Sequence, residues 1–170
     1  MKKRIIYILI IFITINISLI PKIFIYSKDF ISNSISLKNN DILASISIPS
    51  INLNKDIYKY NSYLNNVNTN IELISNNCLP TDNCNFILAS HSGNSSIAHF
   101  KNLDKLKTND IAIINYKNNN YKYELSNIEI VDKNGSITIP KVNISTLILT
   151  TCNKLDDTKQ NIYYFKKMNT

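Results

Sequence analysis

The chain has two histidines and three cysteines, and one of each ends an apolar, β-branched run. His91 closes Phe86-Ile87-Leu88-Ala89-Ser90-His91, and Cys152 closes Thr146-Leu147-Ile148-Leu149-Thr150-Thr151-Cys152. Runs of this kind read as buried strands, which places both residues near strand C-terminal ends, where side chains of different strands converge. A thiol beside an imidazole forms the thiolate that attacks an acyl carbon, with the imidazole carrying the proton. Nucleophilic acyl transfer is the chemistry these residues offer.

The remaining candidates weigh less. His99 sits directly before Phe100 in an expected helix, so a surface role suits it and leaves His91 as the base and acid. Ser90 and Ser92 flank His91 as local hydrogen-bonding groups, since no second base stands near them in a recognisable pattern. Cys78 and Cys84 enclose Leu79-Pro80-Thr81-Asp82-Asn83. Outside a membrane such a pair forms a disulfide, and with no neighbouring histidine or further cysteine it is a poor metal chelate.

The elements that must position His91 and Cys152 read as short strands. Ile42, Ala44, Ile46 and Ile48 alternate with Ser45 and Ser47 until Pro49 stops the run. Further strands are expected at Ile51 to Tyr58, Phe86 to Ser90, Ile111 to Tyr116, Tyr121 to Val131, Ser136 to Ile139, Thr146 to Thr151 and Ile162 to Phe165. That set predicts an all-β closed barrel or sandwich of eight strands. Brief helices are expected at Tyr60 to Asn66 and at Ile97 to Leu106, where Phe100, Leu103 and Leu106 recur. Asn118-Asn119-Asn120 reads as a hairpin turn. Glycine occurs only at Gly93 and Gly135, so turns must rely on Asn and Asp, which tolerate positive φ.

Ahead of this domain, Met1-Lys2-Lys3-Arg4 is a basic cap and Ile5 to Ile20 carries no charge, followed by Pro21-Lys22 and Ile23-Phe24-Ile25-Tyr26. A helix over 5–26 would be roughly 33 Å long, against about 30 Å for a bilayer core. The expectation is an uncleaved single-pass anchor with the basic end inside, a polar linker over 27–41, and an extracellular domain over 42–170. A cleaved signal peptide is the alternative, but no pair of small residues marks a cleavage site, and the first alanine is Ala44. The net charge is +7. Removing the cap leaves a modest lysine excess, which suits an anionic wall or lipid surface and lacks the aromatic-basic pattern of a nucleic-acid groove.

Taken in order, these residues resemble a sortase, the membrane-anchored cysteine transpeptidase of Gram-positive surfaces. Ile46-Ser47-Ile48-Pro49-Ser50-Ile51 resembles the family's first strand, with Ile57-Tyr58 closing that segment and Asp56 in place of a proline. Leu88-Ala89-Ser90-His91 is similar to Leu-Ala-Gly-His, with Ser90 for glycine. Phe100, Leu103, Leu106 and Asn109-Asp110 resemble the family's Phe-x-x-Leu-x-x-Leu and its Gly-Asp turn, and Tyr121-x-Tyr123 its Tyr-x-Tyr strand. Leu149-Thr150-Thr151-Cys152 matches Leu-x-Thr-Cys, with Ile148 where threonine is frequent. The resemblance covers 42–168. It implies an eight-stranded sortase-like closed β-barrel behind one N-terminal transmembrane helix.

The resemblance also assigns roles. Cys152, more often a small core residue when met alone, becomes the nucleophile, and His91 the base and acid; Thr151 and Ser90 become candidate substrate-binding residues, although Thr151 also reads as a plain strand residue. The family's arginine on the last strand has no counterpart, because the one arginine is Arg4. Gln160 occupies the matching position, with Lys159 or Asn161 if the register slips by one; a carboxamide donates to an oxyanion without charge. The implied substrate is a secreted protein with a C-terminal Leu-Pro-x-Thr-Gly-like signal, and the implied acceptor is an amine of a cell-wall peptide precursor. The thioester conserves the bond energy, so no cofactor or metal is required. Neither an Asp-Pro-aromatic lid nor a second membrane helix is present, which points to anchoring of single proteins, as in a short class D-like or divergent type, over pilus assembly. The missing arginine keeps open a catalytically degenerate peptide-binding barrel, and a hydrolytic cysteine peptidase remains the other alternative.

Overall fold

Backbone hydrogen bonding in the computed structural model, which describes residues 40–134 and 145–168 together with 27–28, 31–32 and 34–36, is dominated by one eight-stranded sheet. Its strands are β1 (Ile42–Ile48), β2 (Leu53–Tyr58), β3 (Glu72–Leu73), β4 (Asn85–Ala89), β5 (Ile111–Tyr116), β6 (Asn119–Asp132), β7 (Thr146–Cys152) and β8 (Lys159–Lys167). They lie in the order β2-β1-β5-β6-β8-β7-β4-β3. Every neighbouring pair is antiparallel except β4 and β7, which are parallel. A parallel bridge between Ile57 and Ile71 joins the two ends of the sheet. The barrel is therefore nearly closed, through one bridge and not a full ladder. The sheet belongs wholly to the unit Asp41–Thr170, and the chain before it, Met1–Asn40, forms a second unit.

Period-two alternation fills the barrel. Ala44, Ile46 and Ile48 of β1, Phe86 and Leu88 of β4, Ala112 and Ile114 of β5, Leu147 and Leu149 of β7, and Tyr163 and Phe165 of β8 pack into one core. The other face of β7 and β8 is also apolar. There Ile148, Ile162 and Tyr164 form a second cluster with Ile87 and Val131 against it. Central strands buried on both faces need such continuous apolar runs, which explains the unbroken burial of Thr146 to Thr151.

Asparagine does the work of the missing glycines. Among the described non-glycine residues, positive φ occurs at Asn52, Asn109, Lys117 and Asn118. Asn109 holds φ 75° in the Asn109-Asp110 turn, where Asp110 Oδ2 accepts from Lys107 N at 2.8 Å. The β5–β6 hairpin turns on Lys117 and Asn118, with φ of 49° and 63°, while Asn119 and Asn120 already pair with Tyr116 and Asn115. A two-residue turn of this hand needs positive φ at both central positions, which moves the turn one residue ahead of the expected Asn118-Asn119-Asn120.

Both expected helices are corrected. Residues 60–66 form a chain of turns, in which Asn65 Oδ1 accepts from Leu73 N at 2.7 Å and Asn65 Nδ2 donates to Leu73 O at 3.1 Å. Asparagine side chains compete with helical hydrogen bonds in this way. Over 97–106 only Leu103–Lys105 is helical, as a single 3-10 turn. Phe100, Leu103 and Leu106 are all buried, so the periodicity identified the inward face, but a spacing of three is the 3-10 repeat, not the α repeat. β3 is too short for periodicity to reveal. The strand expected at Ser136 to Ile139 lies outside the described residues, as does the anchor expected over 5–26. No helix among the described residues is long and apolar enough to cross a membrane.

Candidate active site

The parallel pairing of β4 with β7 brings the histidine and the cysteine together. Ala89 pairs with Thr150, so His91 and Cys152 each lie two residues beyond the same rung. Ser90 N donates to Thr150 O at 3.4 Å, and Thr151 Oγ1 donates to Ser90 O at 2.7 Å in a buried contact. Beyond this junction His91 and Cys152 line one cavity of about 560 Å³ with Ser92, Gly93, Asn94, Ser95, Ile97, Asn153 and Lys154. Ser92 and Ser95 contribute hydroxyls to its wall and Asn94 and Asn153 carboxamides, beside the apolar Ile97. Such a lining offers hydrogen bonds to a peptide backbone.

Cys152 is the free cysteine, half-buried, because Cys78 and Cys84 form a disulfide with Cα atoms 5.8 Å apart. That bridge ends one residue before β4 begins. Cys84 O accepts from Thr146 N at 3.0 Å, so the disulfide loop abuts the start of β7, at the opposite end of both strands from His91 and Cys152. Within it, Pro80 O accepts from Lys167 Nζ at 2.8 Å and from Tyr123 Oη at 3.5 Å.

β8 supplies the third candidate. Cys152 and Gln160 are directly opposed across β7 and β8, and opposed residues of antiparallel strands share a face. Gln160 Nε2 is buried with no hydrogen-bond partner among the described residues. A buried donor left unmade is costly and uncommon. Gln160 does not itself line the cavity. Its two neighbours are committed elsewhere. Lys159 Nζ binds the Asp132 carboxylate, and this hydrogen bond, followed by the carboxylate charge, pushes the ammonium pKa up. Asn161 opposes Thr151, accepts from Asn153 Nδ2 at 2.8 Å, and donates to Tyr163 Oη at 3.4 Å.

Thr151 and Ser90 are 6% and 3% exposed, and neither lines the cavity. They join the two strand ends. His99 is apart from the cavity, with Nε2 3.0 Å from Thr69 O, in a separate cleft beside Ile51 and Lys55. Asn153 and Lys154 are wall residues that sequence reasoning missed. Asn153 Oδ1 accepts from Leu155 N at 2.8 Å and Asp156 N at 3.1 Å, and Asp156 Oδ1 accepts from Thr158 N at 2.9 Å. The hydrogen bonds from Thr158 pull the Asp156 carboxyl pKa down. An Asn-x-x-Asp segment directly after the cysteine is the signal that a braced loop follows.

The comparisons with known proteins follow the same lines. The family model for the sortase domain matches residues 46–169. Among solved structures, a sortase D5 transpeptidase of Clostridium perfringens is 25% identical with a TM-score of 0.64, over 76% of this chain and 80% of that one. Sortase C1 of Streptococcus agalactiae is 25% identical with a TM-score of 0.66, over 76% and 69%. Sortase A of Listeria monocytogenes, at 20% identity, shares the fold with a TM-score of 0.65 over 76% and 88%. No curated protein matches the chain. A nearly closed eight-stranded barrel with a histidine and a cysteine at the ends of its two parallel strands, matched by the domain model over most of its length, belongs to the sortase family of cysteine transpeptidases.

Proposed function

We propose that this sortase cleaves a Leu-Pro-x-Thr-Gly-like signal near the C terminus of secreted proteins and joins the new threonine carboxyl to an amine of a cell-wall peptide precursor. The Cys152 thiolate adds to the threonine carbonyl carbon, and the Gln160 carboxamide donates to the oxyanion that forms. The carbon–nitrogen bond to glycine then breaks as His91 gives a proton to the departing amine. The acceptor amine next attacks the thioester, His91 takes its proton, and the carbon–sulfur bond breaks to restore Cys152. Amide energy passes through the thioester into a new amide, so the exchange needs no external energy source.

The single observation that carries this reading is the cavity shared by His91 and Cys152. The uncharged run Ile5 to Ile20 behind Met1-Lys2-Lys3-Arg4 supports a single-pass anchor with the domain outside the cell. Tethering enzyme and lipid-linked acceptor to one surface raises their effective concentration. The test is the wild-type chain and Cys152→Ala with a sorting peptide, with and without an amine acceptor, followed by mass spectrometry. A thioacyl adduct on Cys152 and amine-dependent ligation support the proposal; water as the sole acceptor makes the protein a peptidase, and no adduct makes it a peptide-binding barrel.

A further inference from the structure

The cavity has two walls that belong to different connections. Ser92 to Ser95 and Ile97, on the segment leaving β4, form one wall, and Asn153 and Lys154, on the segment between β7 and β8, form the other. Asn153 and Asp156 brace the second wall internally, and Asn153 Nδ2 fixes it to Asn161 of β8. Its tie to the His91 side runs through Lys154. The Lys154 ammonium donates to Lys101 O and to Asp104 Oδ1 at 2.9 Å. Lys101 lies just past Phe100, whose N–H donates to His91 O at 3.0 Å. A short path of bonds therefore runs from Lys154, two residues beyond Cys152, to the backbone of His91.

We infer that Lys154 is a positioning residue, clamping the β7–β8 connection to the segment after His91 and so holding the Cys152 thiol at reacting distance from the imidazole. Magnitudes favour geometry over stability as its role. The Lys154 and Asp104 side chains are 34% and 47% exposed, and exposed ion pairs add little to folding. A displacement of about 1 Å between reacting groups, by contrast, costs on the order of 10² in rate. Lys154 is the lysine that lines the cavity with Cys152 and His91, whereas Lys159 is held by Asp132.

The role of Lys154 in turnover rests on the transpeptidase reading, so the experiment has one arm that needs no peptide. Cys152 is the free thiol, and its alkylation rate by iodoacetamide in the full-length protein reports its coupling to His91. Lys154→Met is expected to slow alkylation several-fold toward the rate of His91→Ala, and to add nothing when combined with His91→Ala. Lys154→Arg retains the clamp and the wild-type rate. With a sorting peptide, Lys154→Met and Asp104→Asn each lower kcat about 10- to 100-fold with little change in KM, and the double variant is no slower than the worse single. Thermal midpoints stay within about 3 °C of wild type. A wild-type alkylation rate in Lys154→Met overturns the inference, as does an effect confined to KM. Slowed alkylation in a protein that forms no thioacyl adduct keeps the clamp and sinks the transpeptidase reading.

Discussion

Thr151 Oγ1 donates a hydrogen bond of 2.7 Å to Ser90 O, and each of these residues immediately precedes a candidate catalytic side chain. The contact extends the β4–β7 ladder past its last backbone rung, Ala89 opposite Thr150. It is buried, so water does not compete for either group, and a hydroxyl at this place fixes the two strand ends to one another. The Leu-x-Thr-Cys pattern thus has a physical reading in this chain: the threonine sets where the cysteine stands relative to the histidine.

Thr151→Val keeps the shape and removes the donor, leaving the buried Ser90 carbonyl without the hydroxyl. The expected loss is about 1 to 3 kcal/mol of stability, together with a fall of more than about tenfold in the rate of thioacyl formation. Thr151→Ser retains the hydroxyl and most of both. Chemical denaturation and single-turnover mass spectrometry read the two effects separately, and an unchanged acylation rate in Thr151→Val would detach this bond from the chemistry.

The Cys78–Cys84 disulfide closes a short loop whose Pro80 carbonyl is held by Lys167 and Tyr123. For a loop of this length the entropic model gives about 2 kcal/mol. Cys78→Ser/Cys84→Ser is expected to lose about that much in equilibrium denaturation. Its acylation rate per folded molecule should remain at the wild-type level, because the bridge abuts the β4 and β7 ends remote from Cys152. A matching loss of rate would mean that the loop acts on the site through β4.

Much of this arrangement was legible in the sequence, for reasons that differ by element. β1, β5 and β7 declare themselves because inward and outward residues differ in type or form unbroken apolar runs. Periodicity alone predicts β8 only over Ile162 to Phe165, since Lys159, Gln160 and Asn161 are polar and carry no alternation. Ladders from β6 and β7 on its two sides hold them in the strand, a tertiary effect that local propensity does not record. The sequence singles out His91 and Cys152 because each ends an apolar run, and both line one cavity. Lys154 carries no such signal, since nothing in Asn153-Lys154-Leu155 tells that its ammonium reaches Asp104, 50 residues earlier.

Tyr164 gives a pH-dependent test of the outer apolar cluster. Burial first, and then its hydrogen bond to Glu129 Oε2, raise its pKa to about 12. The unfolded phenol ionises near 10, so the stabilisation linked to this shift is fully present below pH 10. It is lost as pH climbs from about 10 toward about 12. Glu129→Gln should move the Tyr164 titration downward but leave it above the ordinary value, because burial remains. The difference in phenolate absorbance between each protein and its Tyr164→Phe counterpart isolates this residue, and a Tyr164 that titrates at the ordinary value would contradict its burial against Ile148 and Ile162.

In the proposed reaction Gln160 is the candidate donor to the oxyanion in place of an arginine. Its carboxamide is on the Cys152 face of β8, with Nε2 buried and unpartnered among the described residues. Loss of one oxyanion donor typically costs on the order of 10² to 10³ in rate. Gln160→Ala should therefore slow thioacyl formation by about that factor while peptide affinity changes little, the signature of an interaction made in the transition state. Gln160→Arg separates charge from fit. If the site lacks only charge, the guanidinium leaves the rate intact or raises it; if the space is shaped for a carboxamide, the longer side chain misaligns its donors beside Val131 and the rate falls. Equal rates for wild type, Gln160→Ala and Gln160→Arg would remove Gln160 from the reaction, and the oxyanion would then have to be met by backbone N–H groups at the ends of β4 and β7.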